Sequence, residues 1–211
     1  MKRANPDLQS AYALDTPEGA KQLYADWAES YDQNFAADQD YLLPEITARC
    51  FVNASGRGPV LDIGAGTGLC GFWLTQLGIR TIDATDISPD MLEQALRKDI
   101  YRDAIEANLM QGVPMPRDSY AGFVSSGTFT HGHVGPDAIP LLLRIARRDA
   151  LFSLSINARH FQDRGFAEMF DQLQSDRRIH NLSLPEHRIY GDRATGPHRD
   201  DTALIALFRK T

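Results

Sequence analysis

Between Val60 and Gly71 the chain reads Val-Leu-Asp-Ile-Gly-Ala-Gly-Thr-Gly-Leu-Cys-Gly, so that Gly64, Gly66 and Gly68 alternate directly after a short apolar run containing one acid, Asp62. Short apolar runs of this kind are how buried parallel strands read. Glycine adopts turns closed to other residues and lets a ligand come close to the backbone. A helix opening straight after the turn adds free N–H groups and the positive end of its dipole. The chemistry is that of holding a ligand, and two ligand classes compete for it. Gly66-Thr67-Gly68-Leu69-Cys70-Gly71 also satisfies the dinucleotide pattern G-x-G-x-x-G, with Asp86 about 20 residues further on. Asp62 favours the earlier register: a carboxylate beside the loop repels a pyrophosphate and suits a ligand with a positive group, such as an α-amino group or a sulfonium.

Two further positions carry chemistry. Asp86 closes the second apolar run, and its two acceptor oxygens suit a vicinal diol. His131 and His133 follow the fourth such run, where an imidazole could act as general base or orient a substrate, or could simply bond the backbone of its own loop. Their spacing also fits a metal site, but no third ligand stands at motif spacing, and no metal is expected. The remaining histidines have no motif around them.

The elements that must position these residues follow from periodicity. Thr16-Pro17-Glu18 starts a helix running to about Phe35, with Leu23, Trp27 and Tyr31 on one face, and a second helix covers Leu43 to Ala54. From Val60 onward strands and helices alternate: strands at 60–63, 80–86, 105–110, 122–126 and 150–155, with helices at 67–77, from Ser88 to about Lys98, 136–147 and 161–173. Such alternation means a parallel sheet covered on both faces. Glu186 to Tyr190 and Ala203 to Arg209 are joined only by the polar stretch Gly191 to Thr202, too short for a crossover helix, so they should pair antiparallel. That loop then shares the carboxyl edge with the glycine turn, where ligands of open α/β sheets bind.

Together, Asp62-Ile63-Gly64-Ala65-Gly66-Thr67-Gly68 and Asp86-Ile87-Ser88-Pro89-Asp90-Met91-Leu92 resemble the motifs of the class I S-adenosylmethionine-dependent methyltransferases, and the resemblance covers most of the chain. It implies a Rossmann-like, seven-stranded, mostly parallel sheet with the last strand antiparallel, helices on both faces, and an N-terminal helical lid. Residues 1–58 would form the tail and lid, and 59–211 the cofactor-binding core. The implied cofactor is S-adenosyl-L-methionine. Asp62, Gly64, Ala65, Gly66 and Gly68 would hold its methionine part, Asp86 its ribose hydroxyls, and Ile87 its adenine, with Met91 and Ser126 completing the set. Asn108-Leu109 stand where the family commonly has an acid and an apolar residue. An amide oxygen there can still accept from the adenine amino group. Arg147-Arg148-Asp149-Ala150 replaces the family's usual Pro-Gly-Gly turn.

Within the class, Tyr24 to Asp32 and Thr130 to Gly135 are similar to the Williams–Beuren syndrome region methyltransferases. This likeness implies that Trp27 and Tyr31 close the pocket or offer ring faces to a sulfonium, each contact being worth ~0.5–2 kcal/mol. Leu23, Trp27 and Tyr31 equally fit a packed helix face. The implied activity is methyl transfer by in-line displacement to a small-molecule acceptor, with Phe129, Arg193, His198 and Arg199 as candidate acceptor contacts. Oriented reactants alone account for ~7–11 kcal/mol of such a barrier. A nicotinamide-dependent oxidoreductase and a non-catalytic cofactor-binding protein stay open as alternatives.

The bulk properties agree with an enzyme core. The chain has 211 residues, 43% of them hydrophobic, enough for one substantial domain. Its 28 acidic and 22 basic residues are mixed along the sequence, net charge −6, so no basic face advertises nucleic acid or a membrane. Two cysteines, Cys50 and Cys70, make no disulfide framework, and no apolar run reaches the ~18 residues of a membrane span. A cytoplasmic protein of open oligomeric state is expected.

Overall fold

The structure, a computed structural model, describes Gly19, Leu23 and residues 40–130 and 134–211. Helix α1 (Leu43–Asn53) leads into strand β1 (Val60–Ile63), after which come α2 (Leu69–Gln76), β2 (Ile82–Asp86), α3 (Pro89–Leu96) and β3 (Asp103–Glu106). A 3-10 turn at Leu109–Gln111 precedes β4 (Tyr120–Phe129), α4 (Ala138–Ile145) and β5 (Ala146–Asn157). Helices α5 (Ala158–Asp163) and α6 (Phe166–Ser175) then lead to β6 (Ile179–Ser183), β7 (Glu186–Arg188) and β8 (Thr202–Lys210).

The strands form one sheet in the order β3-β2-β1-β4-β5-β8-β6, with β7 also on β8. Strands β1 to β5 are parallel, and β8 runs antiparallel to β5, β6 and β7. The parallel sheet with an antiparallel final strand is as expected. The expected seven strands become eight because β6 also pairs with β8, separated from β7 by Leu184-Pro185; within β6 Asn181 takes a left-handed φ of +57° and the register shifts between His180 and Ser183. The reading from sequence passes over β6 altogether. It also runs one helix through 161–173, where Gly165, at φ +76°, separates α5 from α6.

Alternation along β1 decides what lies on each face. Leu61 and Ile63 face a core shared with α4 and α6, whereas Val60 faces a second core beneath α2 and α3 that includes Cys70, Leu74, Ala95 and Tyr101. Asp62, on the Val60 side, is fully buried against that second core. In the first core three rings on adjacent strands stack across the sheet: Phe123 on Phe152 at 4.3 Å and Phe152 on Phe208 at 4.6 Å between centroids. This rigid centre fixes the strand ends from which the site is built. Among the described residues no helix is long and apolar enough to cross a membrane.

Candidate cofactor site

Strand β1 delivers the glycine turn to the carboxyl edge of the sheet, and each glycine is needed for a separate reason. Gly64, Gly66 and Gly68 have φ of +58°, +55° and +91°, the left-handed region that other residues enter only with strain. A Cβ on Gly64 would lie 2.1 Å from Thr128 Oγ1, because Thr128 folds over the end of β1 and donates to the carbonyls of Ile63 (3.0 Å) and Gly64 (3.3 Å). A Cβ on Gly66 would meet nothing within 4 Å, so the loop has open space at that point, as a ligand cradle requires. Gly68 then stands at the N-terminus of α2.

Asp86 ends β2 beside this loop. Its Oδ2 accepts from Gly66 N and its Oδ1 from Ser88 N, both at 2.9 Å, so one carboxylate ties the glycine turn to the start of α3. Ser88 caps that helix through Met91 N at 3.3 Å, and Pro89 follows at the first helical position. Desolvation raises the Asp86 pKa, opposed by the N–H groups of Ser88, Gly66 and Ile87. A carboxylate has about four lone-pair sites, so these N–H groups do not fill it and it can still accept from a ribose hydroxyl. The open space at Gly66 and the acceptor at Asp86 fit an adenosyl ligand with an amino-acid arm. Main-chain proximity at Gly64, Ala65, Gly66 and Gly68 would hold the arm, and Asp86 the ribose.

Other predicted residues take varied places. Asn108 caps the 3-10 turn through its Oδ1, which accepts from Met110 N at 3.0 Å, and Leu109 is buried in the core beside α4. Ile87 sits between Asp86 and the cap Ser88, partly exposed, and Met91 is buried in a cluster with Leu43, Ile189 and Ile205. Ser126 Oγ lies 3.4 Å from Tyr41 Oη. Trp27, Tyr31, His131 and His133 fall outside the described residues, as does most of the predicted lid helix, of which Gly19 and Leu23 are helical.

The predicted acceptor contacts change most. Phe129, placed among the acceptor contacts by the resemblance, is fully buried with its ring against Phe166 in the main core. The loop at 191–201 does lie at the carboxyl edge, but Arg193 pairs with Asp40 at 2.9 Å, His198 with Asp201 at 2.9 Å and Arg199 with Asp200 at 3.4 Å. Backbone bonds from Leu42 N to Ile189 O and from Gly191 N to Asp40 O stitch this loop to the segment before α1. Next to the 3-10 turn opens a cleft of about 620 Å³ between Met110, Asp137, Arg164, Glu168 and Met169. Among the described residues no three His, Cys, Asp or Glu side chains gather as a metal site.

Two residues escaped the reading from sequence. Tyr101 lies beneath the glycine loop and donates to Asp62 Oδ2 at 2.6 Å, and Lys98 donates to Thr67 O at 2.5 Å. A Cβ on Gly71 would come within 2.2 Å of the Tyr101 hydroxyl. The last glycine of the formal dinucleotide pattern is therefore a seat for a phenol. Burial raises the Asp62 pKa to about 7, while the Tyr101 hydroxyl and the Gly71 N–H oppose the shift.

Comparison with known proteins agrees with this geometry. Residues 60–149 match the methyltransferase domain family. Methyltransferase-like protein 27 of Homo sapiens is 32% identical over 133 residues, which are 60% of this chain and 54% of that protein. The 18S rRNA (guanine-N(7))-methyltransferase of Bos taurus is 39% identical over 66 residues, 31% of this chain and 23% of that protein. The chain thus spans about half the length, or less, of the curated relatives it matches. Among solved structures, an S-adenosyl-L-methionine-dependent methyltransferase of TehB-like type from Corynebacterium glutamicum superposes with a TM-score of 0.58 at 23% identity, over 87% of this chain and 98% of that one. A Methanococcus maripaludis protein described as an enzyme of the same class gives 0.60 at 17% identity, over 100% and 97%. Strand order, glycine loop and the acid ending β2 thus accompany a likeness to the methyltransferase domain family over residues 60–149 and a fold similar to that of S-adenosylmethionine-dependent methyltransferases.

Proposed function

We propose that the chain transfers a methyl group from S-adenosylmethionine to a small-molecule acceptor at the carboxyl edge of the sheet. The observation that supports this reading is the hydrogen bond from Gly66 N to Asp86 Oδ2 at 2.9 Å, which joins the glycine turn to the acid ending β2. When bound, the cofactor supplies an electrophilic methyl whose departing group is a neutral thioether. The chain's own task is alignment: the turn at Gly64, Gly66 and Gly68 holds the arm and Asp86 fixes the nucleoside. Where the acceptor must lose a proton, His131 or His133 takes it, on the strength of their place in the sequence directly after β4.

A small acceptor is favoured by the net charge of −6 and by ion pairing at the edge, where Arg193, His198 and Arg199 each face an acid. Phosphate-rich substrates draw on unpaired Lys and Arg for most of their affinity. A nucleic-acid acceptor is the second reading, supported by the named rRNA substrate of the Bos taurus relative. The test uses the purified chain with methyl-labelled cofactor and two substrate pools, a small-metabolite extract and total RNA. Label in the metabolite pool alone supports the proposal. Label in RNA alone refutes the small-acceptor reading, and failure to bind S-adenosylhomocysteine refutes the cofactor reading.

A further inference from the structure

Beneath the glycine loop, the turn that follows α3 makes three contacts that the cofactor reading does not use. Tyr101, 9% exposed, donates its hydroxyl to Asp62 Oδ2 at 2.6 Å. Its ring fills the space under the loop so completely that a Cβ on Gly68 would lie 2.8 Å from Cε2, and one on Gly71 2.2 Å from the hydroxyl. Lys98 Nζ reaches over to the Thr67 carbonyl at 2.5 Å. The Oδ1 atom of Asp62 is buried and has no hydrogen-bond partner among the described residues. A buried carboxylate oxygen without a donor is costly, and such orphans recur where a ligand completes the bonding.

We propose that Tyr101 is a positioning residue for the cofactor: it saturates Asp62 Oδ2, so that Oδ1 stands ready for the ligand's α-ammonium group, while Lys98 and the phenol ring hold the loop at its correct height. The proposal rests on the cofactor reading above. Tyr101 touches no ligand itself and acts through Asp62. A hydroxyl bonded to one carboxylate oxygen fixes the rotation of the group, which decides where the other oxygen points.

The test separates the amino-acid arm from the nucleoside. S-adenosylhomocysteine and 5′-methylthioadenosine share the nucleoside and thioether, but only the first has the arm, and both are titrated calorimetrically against the full chain. Tyr101→Phe, which keeps the ring, should weaken S-adenosylhomocysteine about tenfold, the scale of one hydrogen bond to a charged group, and leave methylthioadenosine unchanged. In an Asp62→Asn background Tyr101→Phe should add nothing, since the two share one pathway. Equal losses for both ligands, no loss for either, or additive losses in the double variant would overturn the proposal. Should Tyr101→Phe fold poorly, Lys98→Met carries the same test with the buried pair intact: about threefold weaker binding of the armed ligand alone supports the brace, and no change overturns it. If the unaltered chain binds neither ligand, the cofactor reading itself has failed, which is a distinct outcome.

Discussion

Asp86→Ala is the sharpest single test of the site, because in the proposed reading one carboxylate performs two separable tasks. It accepts from Gly66 N and Ser88 N, each at 2.9 Å, and it retains lone pairs for a ribose diol. Hydrogen bonds to a charged group are worth ~1.5–3 kcal/mol each, so two lost diol bonds amount to about 3–6 kcal/mol at most. Water entering the space left by the carboxylate restores part of this. The expected loss is ~3 kcal/mol, on the order of 100-fold in the Kd for S-adenosylhomocysteine. Asp86→Asn keeps one acceptor oxygen but turns an amide NH2 toward either Gly66 N–H or a hydroxyl, and about tenfold weaker binding is expected. Isothermal titration calorimetry reads both, with circular dichroism confirming that the fold survives. Acidification gives the same answer by another route. Burial raises the Asp86 pKa, and the protonated carboxyl accepts from a diol less well, so affinity should fall as the pH drops through that range. A folded Asp86→Ala protein that binds within about threefold of the unaltered chain would refute the reasoning.

Three further outcomes are expected. Gly66→Ala should fold with a modest loss of melting temperature, since only its positive φ is strained, while Gly64→Ala should not give a stable fold because its Cβ meets Thr128 at 2.1 Å; thermal melts compare them. Phe152→Ala removes the middle ring of the Phe123-Phe152-Phe208 stack and should cost ~3–5 kcal/mol in chemical denaturation. Asp62, whose pKa is raised to about 7 from a usual 3.8, binds more protons folded than unfolded between those values, so folding stability falls as pH rises through that window. Asp62→Asn abolishes this dependence, and its melting temperature relative to the unaltered chain should therefore increase from pH 5 toward pH 8.

What was legible in the sequence is what local chemistry dictates. Alternating glycines after an apolar run, a Ser-Pro helix start behind Asp86, and a polar stretch too short for a crossover helix each have few structural solutions, and the strands, the cradle and the antiparallel β8 follow from them. What stayed hidden depends on distant partners or on single backbone angles. Tyr101 reads as one more core aromatic, because its partner Asp62 is 39 residues away. Arg193 reads as a free cation, because Asp40 lies 153 residues away. The altered turn before the central part of β5 is resolved by Asp149, which takes φ +61° where a glycine would be expected; Asp is one of the few residues that tolerates that region. β6 escaped notice because the left-handed Asn181 breaks its alternation.

The seat that Gly71 provides for Tyr101 also bears on how this chain can vary over generations. Any side chain at 71 collides with the phenol, and a smaller residue at 101 opens a void under the loop and releases Asp62. Neither position can drift alone without passing through an impaired ancestor. Descendants should therefore keep both or exchange both together, so the glycine that imitates a nucleotide fingerprint is inherited as half of a pair.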